Sequence, residues 1–285
     1  ELDFTAFAHV FSFSIKVNDI LDQSIKRFRM IVKSPLRYPG GKSRAIKIIS
    51  RYIPKDTTQI CSPFFGGGSL EIHWAQNGIR VYGYDSFGPL VDFWHMLLKN
   101  PKKLASSVKK YHPLKKQEFY ELQKIQLESK NKLERATVFF VLNRTSFSGS
   151  TLSGGMASGG KDDNPRFTKS SIEKIESFKI RNLSIELMDF KKSIARHKKA
   201  LLYVDPPYLI QSKLYGKRGD LHKNFEHDSL AKILKKRNNW ILSYNNTKEI
   251  HDMYSDYRIL YPDWKYSMSS NKTSREVLIL SHDLE

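Results

Sequence analysis

The segment from Gln59 to Asp85 constrains the fold of this chain more than any other. Gln59-Ile-Cys61 reads as a short strand, and Ser62-Pro-Phe-Phe-Gly-Gly-Gly-Ser69 as the turn that ends it. Leu70 to Gln76 suits a helix packed on a sheet, closed by Asn77-Gly78. Arg80-Val-Tyr-Gly-Tyr84 is a second strand, finished by Asp85. A strand, a glycine loop, a helix, a strand and an acid in that order make the first βαβ unit of a doubly wound, mostly parallel α/β sheet.

The rest of the chain extends this pattern and interrupts it once. Arg37-Tyr-Pro-Gly-Gly-Lys42 is a turn leading into a basic amphipathic helix over 43–52, with Ile46, Ile49 and Ile53 at helical spacing. Val91 to Leu98 continues as helix. From Pro101 to Asn143 come lysine-rich helical stretches carrying Leu122, Ile125, Leu133, Val138 and Leu142, and 143–165 is a loop rich in Gly, Ser and Thr. Strands resume at Leu183–Leu187 and Leu201–Val204; a helix over 228–236 leads to a strand at Trp240–Tyr244. The late run 275–281 reads as an antiparallel strand at a sheet edge. The economical division is an N-terminal extension (1–29), a split α/β domain (30–95 and 170–285) and an inserted region (96–169).

Charge narrows the class of partner. Lys and Arg number 48 against 29 Asp and Glu, a formal net charge of +19. That excess points to a polyanion, nucleic acid ahead of membrane. A single cysteine, Cys61, excludes an intrachain disulfide and a cysteine-based zinc cluster, and suits a reducing, cytoplasmic interior. The histidines show no metal-binding spacing, and no apolar stretch reaches the roughly 18 residues of a membrane span. Phe4 to Val17 is apolar but lacks the basic start of a signal peptide.

Two motifs carry chemistry. Pro63-Phe-Phe-Gly-Gly-Gly68 is neither a Walker A loop nor the G-x-G-x-x-G fingerprint, so it suits a nucleoside-like cofactor without a pyrophosphate. Asp85, ending the next strand, stands where an acid accepts hydrogen bonds from ribose hydroxyls. The second motif is Asp205-Pro-Pro-Tyr208, directly after the buried strand Leu201–Val204. An aromatic amine is a poor nucleophile because its lone pair is shared with the ring. The Asp205 carboxylate and the Pro206 carbonyl could accept its two hydrogens and direct the lone pair at a methyl sulfonium, with Tyr208 stacked on the base. Ser62 reads as part of the turn, and Trp74 and Trp240 as packing residues.

The ordered set of motifs resembles the Dam-like DNA adenine-N6 methyltransferases of the D12 class, over about residues 33 to 281. The resemblance implies a Rossmann-like methyltransferase sheet with an inserted, mainly helical DNA-recognition region. It implies methyl transfer from S-adenosylmethionine to the exocyclic amine of a flipped adenine in double-stranded DNA. Carried over residue by residue, Asp205, Pro206, Pro207 and Tyr208 are catalytic. Tyr38, Gly40, Lys42, Pro63, Phe64, Phe65, Gly66, Gly68, Asp85, Asp189 and Asp205 hold the cofactor, with Asp189 placed for its adenine. Asn143-Arg-Thr-Ser-Phe-Ser-Gly149 is similar to the start of the family's DNA-contacting hairpin, which gives Asn143, Arg144, Ser146 and Ser148 as DNA-binding. Lys109, Lys110, Lys161 and Arg166 are expected to meet phosphates, and no metal is implied.

The chain departs from the family at Ser148, where asparagine is usual, and in the Gly- and Ser-rich stretch 150–160. The sequence therefore assigns no recognition site, GATC included. Beside this reading stand the same chemistry on cytosine N4 or on RNA adenine, an inactive DNA-binding relative, and a nicotinamide oxidoreductase. A cognate restriction endonuclease is a possible functional partner, a bacterial or phage source is implied, and the expected state is a monomer or weak dimer.

Overall fold

Continuous apolar strands such as Leu201-Leu-Tyr-Val204 must be covered on both faces, and that requirement sets the architecture. The computed structural model describes residues 32–152, 154–157, 166–209, 225–262 and 276–284; the expectations for residues 1–29 and for Lys161 lie outside them. The described residues contain seven strands: β1 (Gln59–Ser62), β2 (Arg80–Asp85), β3 (Leu183–Leu187), β4 (Leu201–Val204), β5 (Trp240–Asn245), β6 (Arg258–Leu260) and β7 (Glu276–Leu280). They form one sheet in the order β3-β2-β1-β4-β5-β7-β6. Strands β1 to β5 pair in parallel, whereas β7 runs antiparallel to β5 and to β6.

The described helices are α1 (Ile46–Ile49), α2 (Ser69–Gln76), α3 (Gly88–Lys99), α4 (Pro101–Lys109), α5 (Lys116–Glu128), α6 (Lys132–Thr145), α7 (Lys169–Glu176), α8 (Phe190–Arg196), α9 (His227–Leu234) and α10 (Lys248–Met253). Alternate strand residues divide between two cores. Leu202, Val204, Leu242 and Ile279 pack with Ile194 of α8 and with Leu230 and Leu234 of α9. Leu201, Tyr203, Ile241 and Leu278 pack with Ile49, Leu70 and Trp74 on the other face. Truncating one of these fully buried leucines to alanine should cost about 2–5 kcal/mol.

Helix α6 joins the insert to this frame. Asn131 caps it, its Oδ1 accepting from the N–H groups of Leu133 (2.9 Å) and Glu134 (3.3 Å). Its residues from Ala136 to Asn143 are buried. Phe140 stacks on Phe93 of α3 with centroids 5.6 Å apart, and Arg135 pairs with Asp92 at 2.5 Å.

Three sequence expectations change. The helix expected over 43–52 is a single α-turn, Ile46–Ile49, followed by a 3-10 turn, Ser50–Tyr52. The loop expected from Asn143 starts later, because α6 runs to Thr145. The last strand is not at the edge: β6 lies outside β7, and all five residues of β7 are buried. The apolar run Val277–Leu280 is thus an interior strand buried on both faces.

Candidate active site

The strand order reverses direction between β1 and β4, and in a doubly wound sheet this switch opens a crevice at the carboxyl ends of the strands. A cavity of about 580 Å³ lies there, lined by the glycine loop, Asp85, Asp189 and Asp205-Pro-Pro-Tyr208. Its size suits a nucleoside-sized ligand.

The glycine loop is shaped by what presses on it. Gly66 and Gly68 have φ of +49° and +63°. A Cβ on Gly67 would stand 2.6 Å from Tyr38 Cβ, so Tyr38 lies directly on the loop. Phe65 sits beneath it, 2% exposed, edge-on to Trp94 at 5.2 Å. Asp85 fastens the loop from the next strand: its Oδ2 accepts the Gly66 N–H and its Oδ1 the Phe87 N–H, both at 3.0 Å. Burial raises the Asp85 pKa, and these backbone bonds work against that rise. Asp189 caps α8 by accepting the Lys191 N–H at 2.8 Å, and it lines the same cavity. Phe64 packs against Phe190 (5.6 Å) and Phe225 (5.4 Å), giving an aromatic wall between the two acids' elements.

At the mouth of β4, Asp205 is held by three groups. Lys42 Nζ donates to Asp205 Oδ1 and Oδ2 at 3.0 and 2.9 Å, Ser243 Oγ to Oδ1 at 2.8 Å, and the Tyr208 hydroxyl to Oδ1 at 3.1 Å. The one hydroxyl hydrogen of Tyr208 is shared between Asp205 Oδ1 and Glu276 Oε1, while Oδ2 accepts from Lys42 alone among the described residues. Lys42 is 5% exposed and also donates to the Tyr208 oxygen at 2.8 Å and to the Gly40 carbonyl at 3.2 Å. Burial alone would lower its pKa, but Asp205 and Glu276 outweigh burial and hold it above the ordinary lysine value. The turn Arg37–Lys42 thus reaches the tetrapeptide across 163 residues of sequence.

Three site residues escaped the sequence reading. Glu276 faces Lys42 at 3.4 Å and accepts from the Tyr208 hydroxyl at 2.6 Å. Ser243 lies on β5 and showed no signal of its own. Glu71, in the first turn of α2, lines the cavity at 3% exposure and accepts from Ser62 Oγ at 2.7 Å. Burial raises its pKa to about 7. The available signal was an acid amid Leu70, Ile72, Trp74 and Ala75. Ser62 is itself on β1 and fully buried, so it belongs to this pair and not merely to the turn.

The expected DNA residues fall into two groups. Asn143 and Ser146, expected to touch DNA, are fully buried within the protein. Asn143 Oδ1 accepts the Arg37 N–H at 2.9 Å, and its Nδ2 donates to the carbonyls of Arg37 (2.8 Å) and Gly149 (3.2 Å). Arg144 was expected near base edges, yet its guanidinium braces main chain. Nε and one terminal nitrogen donate to the Arg166 carbonyl at 2.9 and 2.6 Å. Burial, then Arg37 and Arg166, lower its pKa to about 10, so three guanidinium groups share this locality. Beyond α6, Phe147 N–H donates to the Gly155 carbonyl at 3.0 Å and Ala157 N–H to that of Thr145 at 2.8 Å, a short hairpin-like ladder. At its turn Ser148 has φ +57° and is partly exposed, and Phe147, not singled out from sequence, is 68% exposed. Lys109 and Lys110 are exposed at the end of α4; nearby His112 packs on Phe167 at 5.2 Å, beside Arg166.

A crevice at this switch point, with a glycine loop and acids after β1, β2, β3 and β4, defines a nucleoside-cofactor enzyme of the doubly wound α/β class. The family model for the D12 class N6 adenine-specific DNA methyltransferases matches residues 38–268, and the chain belongs to that family. A search of curated proteins returned no match. The enzyme is an S-adenosylmethionine-dependent, adenine-specific DNA methyltransferase with a Rossmann-like fold. The cavity fits the cofactor, since among the described residues Lys42 is the one basic side chain lining it and five carboxylates line it, those of Glu71, Asp85, Asp189, Asp205 and Glu226. That balance suits a sulfonium cation with ribose hydroxyls and disfavours a pyrophosphate. Among the described residues there is no metal-binding cluster and no helix long and apolar enough to cross a membrane.

Proposed function

We propose that the cavity holds the methyl donor with Asp85 toward its ribose, Asp189 toward its adenine, Phe64 as an apolar wall, and Tyr38, Gly40, Lys42, Pro63, Gly66 and Gly68 around its methionyl side. Phe65 supports this cradle from below. The observation that carries the reading is the fixation of Asp205 at the strand mouth by Lys42, Ser243 and Tyr208. Bound there, S-adenosylmethionine supplies an electrophilic methyl group.

The chain's own residues then act on the amine. Asp205 Oδ2 and the Pro206 carbonyl accept the two amine hydrogens and hold the nitrogen lone pair in line with the donor. Pro207 stiffens the turn, and Tyr208 sets the carboxylate while its ring lines the base site. A stacked adenine cannot reach this crevice, so the base is flipped. The insert 96–169 supplies target recognition, and the 30–95 and 170–285 segments supply catalysis. Arg37, Arg166, Lys109, Lys110 and Lys161 face phosphates, whereas Ser148 and Phe147 on the exposed turn approach the bases. The protein works as a monomer or weak dimer in a bacterial or phage-infected cytoplasm, as an orphan enzyme or beside a cognate endonuclease.

Incubation with duplex DNA and methyl-labelled cofactor, followed by nucleoside digestion, tests the reading. Label in N6-methyladenine is expected. Label in N4-methylcytosine, or in an RNA substrate alone, would overturn it.

A further inference from the structure

Methyl transfer forms the nitrogen–carbon bond with the amine's lone pair, the electron pair of the broken sulfur–carbon bond stays on sulfur, and the amine must lose one proton. The structure shows where that proton can go beyond Asp205. The Tyr208 oxygen lies 3.1 Å from Asp205 Oδ1 and 2.6 Å from Glu276 Oε1, so one hydroxyl bridges two carboxylates. Lys42 Nζ sits against both acids, 2.9 Å from Asp205 Oδ2 and 3.4 Å from Glu276 Oε1. The Asp205 side chain is 21% exposed and faces the cavity, while that of Glu276 is 1% exposed behind it.

Charge balance within the Lys42, Asp205 and Glu276 cluster favours such an acceptor. One ammonium facing two carboxylates carries a formal charge of minus one, which matches the sulfonium before transfer. Transfer removes the sulfonium charge, and a buried, uncompensated negative charge is costly. A proton retained by the carboxylate pair restores neutrality inside the site.

We propose that Glu276 is the second acceptor of the amine proton, reached from Asp205 through the Tyr208 hydroxyl. This rests on the reading of Asp205 as the partner of the amine. A half-turn of the protonated Asp205 carboxyl brings its proton from the cavity side to the side facing Tyr208, and the proton passes to the Tyr208 oxygen as the Tyr208 hydroxyl proton passes to Glu276 Oε1. Asp205 is again a carboxylate, Tyr208 again a phenol, and Glu276 a carboxylic acid. Topology explains why this acid is available. Strand β7 is antiparallel, with Glu276 opposite Asn245, so its first residue enters the sheet where the parallel strands leave it. Glu276 acts through Asp205 and Tyr208 and does not itself touch the base.

The test is single-turnover methylation at saturating cofactor and duplex, measured across pH and in mixtures of light and heavy water. Glu71 and Tyr203 also lie within electrostatic reach of this cluster. The pH series is therefore run in a Glu71→Gln background, which removes a group titrating near neutrality. Glu276→Gln keeps the oxygen that Tyr208 and Lys42 meet, so dissociation constants for S-adenosylmethionine and duplex should stay within twofold. Its single-turnover rate should fall about 100-fold and recover partly as pH rises and hydroxide takes the proton. The rate should depend on heavy-water fraction along a curve in the parent and along a straight line in Glu276→Gln, because a two-proton relay becomes a one-proton transfer. Tyr208→Phe keeps the ring and should reproduce both changes. Should Glu276→Gln not fold, Tyr208→Phe decides alone. A rate within twofold of the parent in either variant, or rate loss only in step with lost cofactor or DNA binding, would overturn the relay. Full transfer by Asp205→Asn would instead overturn the reading of Asp205.

Discussion

Asn143 grips Arg37 from both sides, its Oδ1 accepting the Arg37 N–H at 2.9 Å and its Nδ2 donating to the Arg37 carbonyl at 2.8 Å. The same amide reaches the Gly149 carbonyl, and a Cβ on Gly149 would lie 1.9 Å from the Arg37 oxygen. The start of the loop after α6 is thereby stapled to the segment that carries Tyr38 and Lys42 to the cavity.

Asn143→Ala should therefore act on both ends. It leaves buried peptide groups unpaired and should destabilise the fold by about 2–4 kcal/mol, lowering Tm by about 5–10 °C. Cofactor affinity should weaken as well, because Tyr38 and Lys42 lose their anchor. Calorimetric titration with S-adenosylmethionine beside thermal denaturation checks both effects.

Gly67→Ala should cut cofactor affinity at least about tenfold, since its Cβ would stand 2.6 Å from Tyr38 Cβ and either the tyrosine or the loop must move. Gly88→Ala, whose Cβ meets nothing within 4 Å, should bind the cofactor normally. Equal affinities for the two variants would contradict the packing of Tyr38 on the loop.

Glu71 makes stability depend on pH. Its folded pKa, raised by burial to about 7, lies above the ordinary 4.5, so the folded state binds the proton more tightly. Its contribution is complete below pH 4.5 and is lost as pH rises through about 7. The amount is on the order of 2–3 kcal/mol. Denaturant unfolding from pH 5 to 8 should show this decline in the parent, and Glu71→Gln should remove it. A parallel decline in both proteins would assign the dependence to other groups.

Phe147 presents an apolar ring to solvent on the turn beyond α6. Phe147→Ala should weaken duplex binding by about 1–3 kcal/mol, the scale of one base–aromatic stack, and leave S-adenosylmethionine affinity unchanged. Replacing Lys109 and Lys110 together should instead lower the slope of binding against log salt by about two. Fluorescence anisotropy across a salt series separates the two contributions.

The local sequence determined most of the catalytic frame. Glycines, apolar strands and Asp205-Pro-Pro-Tyr208 report backbone geometry and burial through their immediate neighbours, so β1, β2, β4 and the glycine loop were legible from short windows. The partners of Asp205 were not. Lys42 lies 163 residues before it, Ser243 lies 38 after it, and Glu276 reaches it through Tyr208 and Lys42. Asn143 shows the same limit, since its sequence context suggested a surface loop while packing made it an internal staple. The order of the strands, and the reversed direction of β7 above all, decided which polar groups share the strand mouth. Periodicity says that a residue is buried; only the pairing of distant strands says against what.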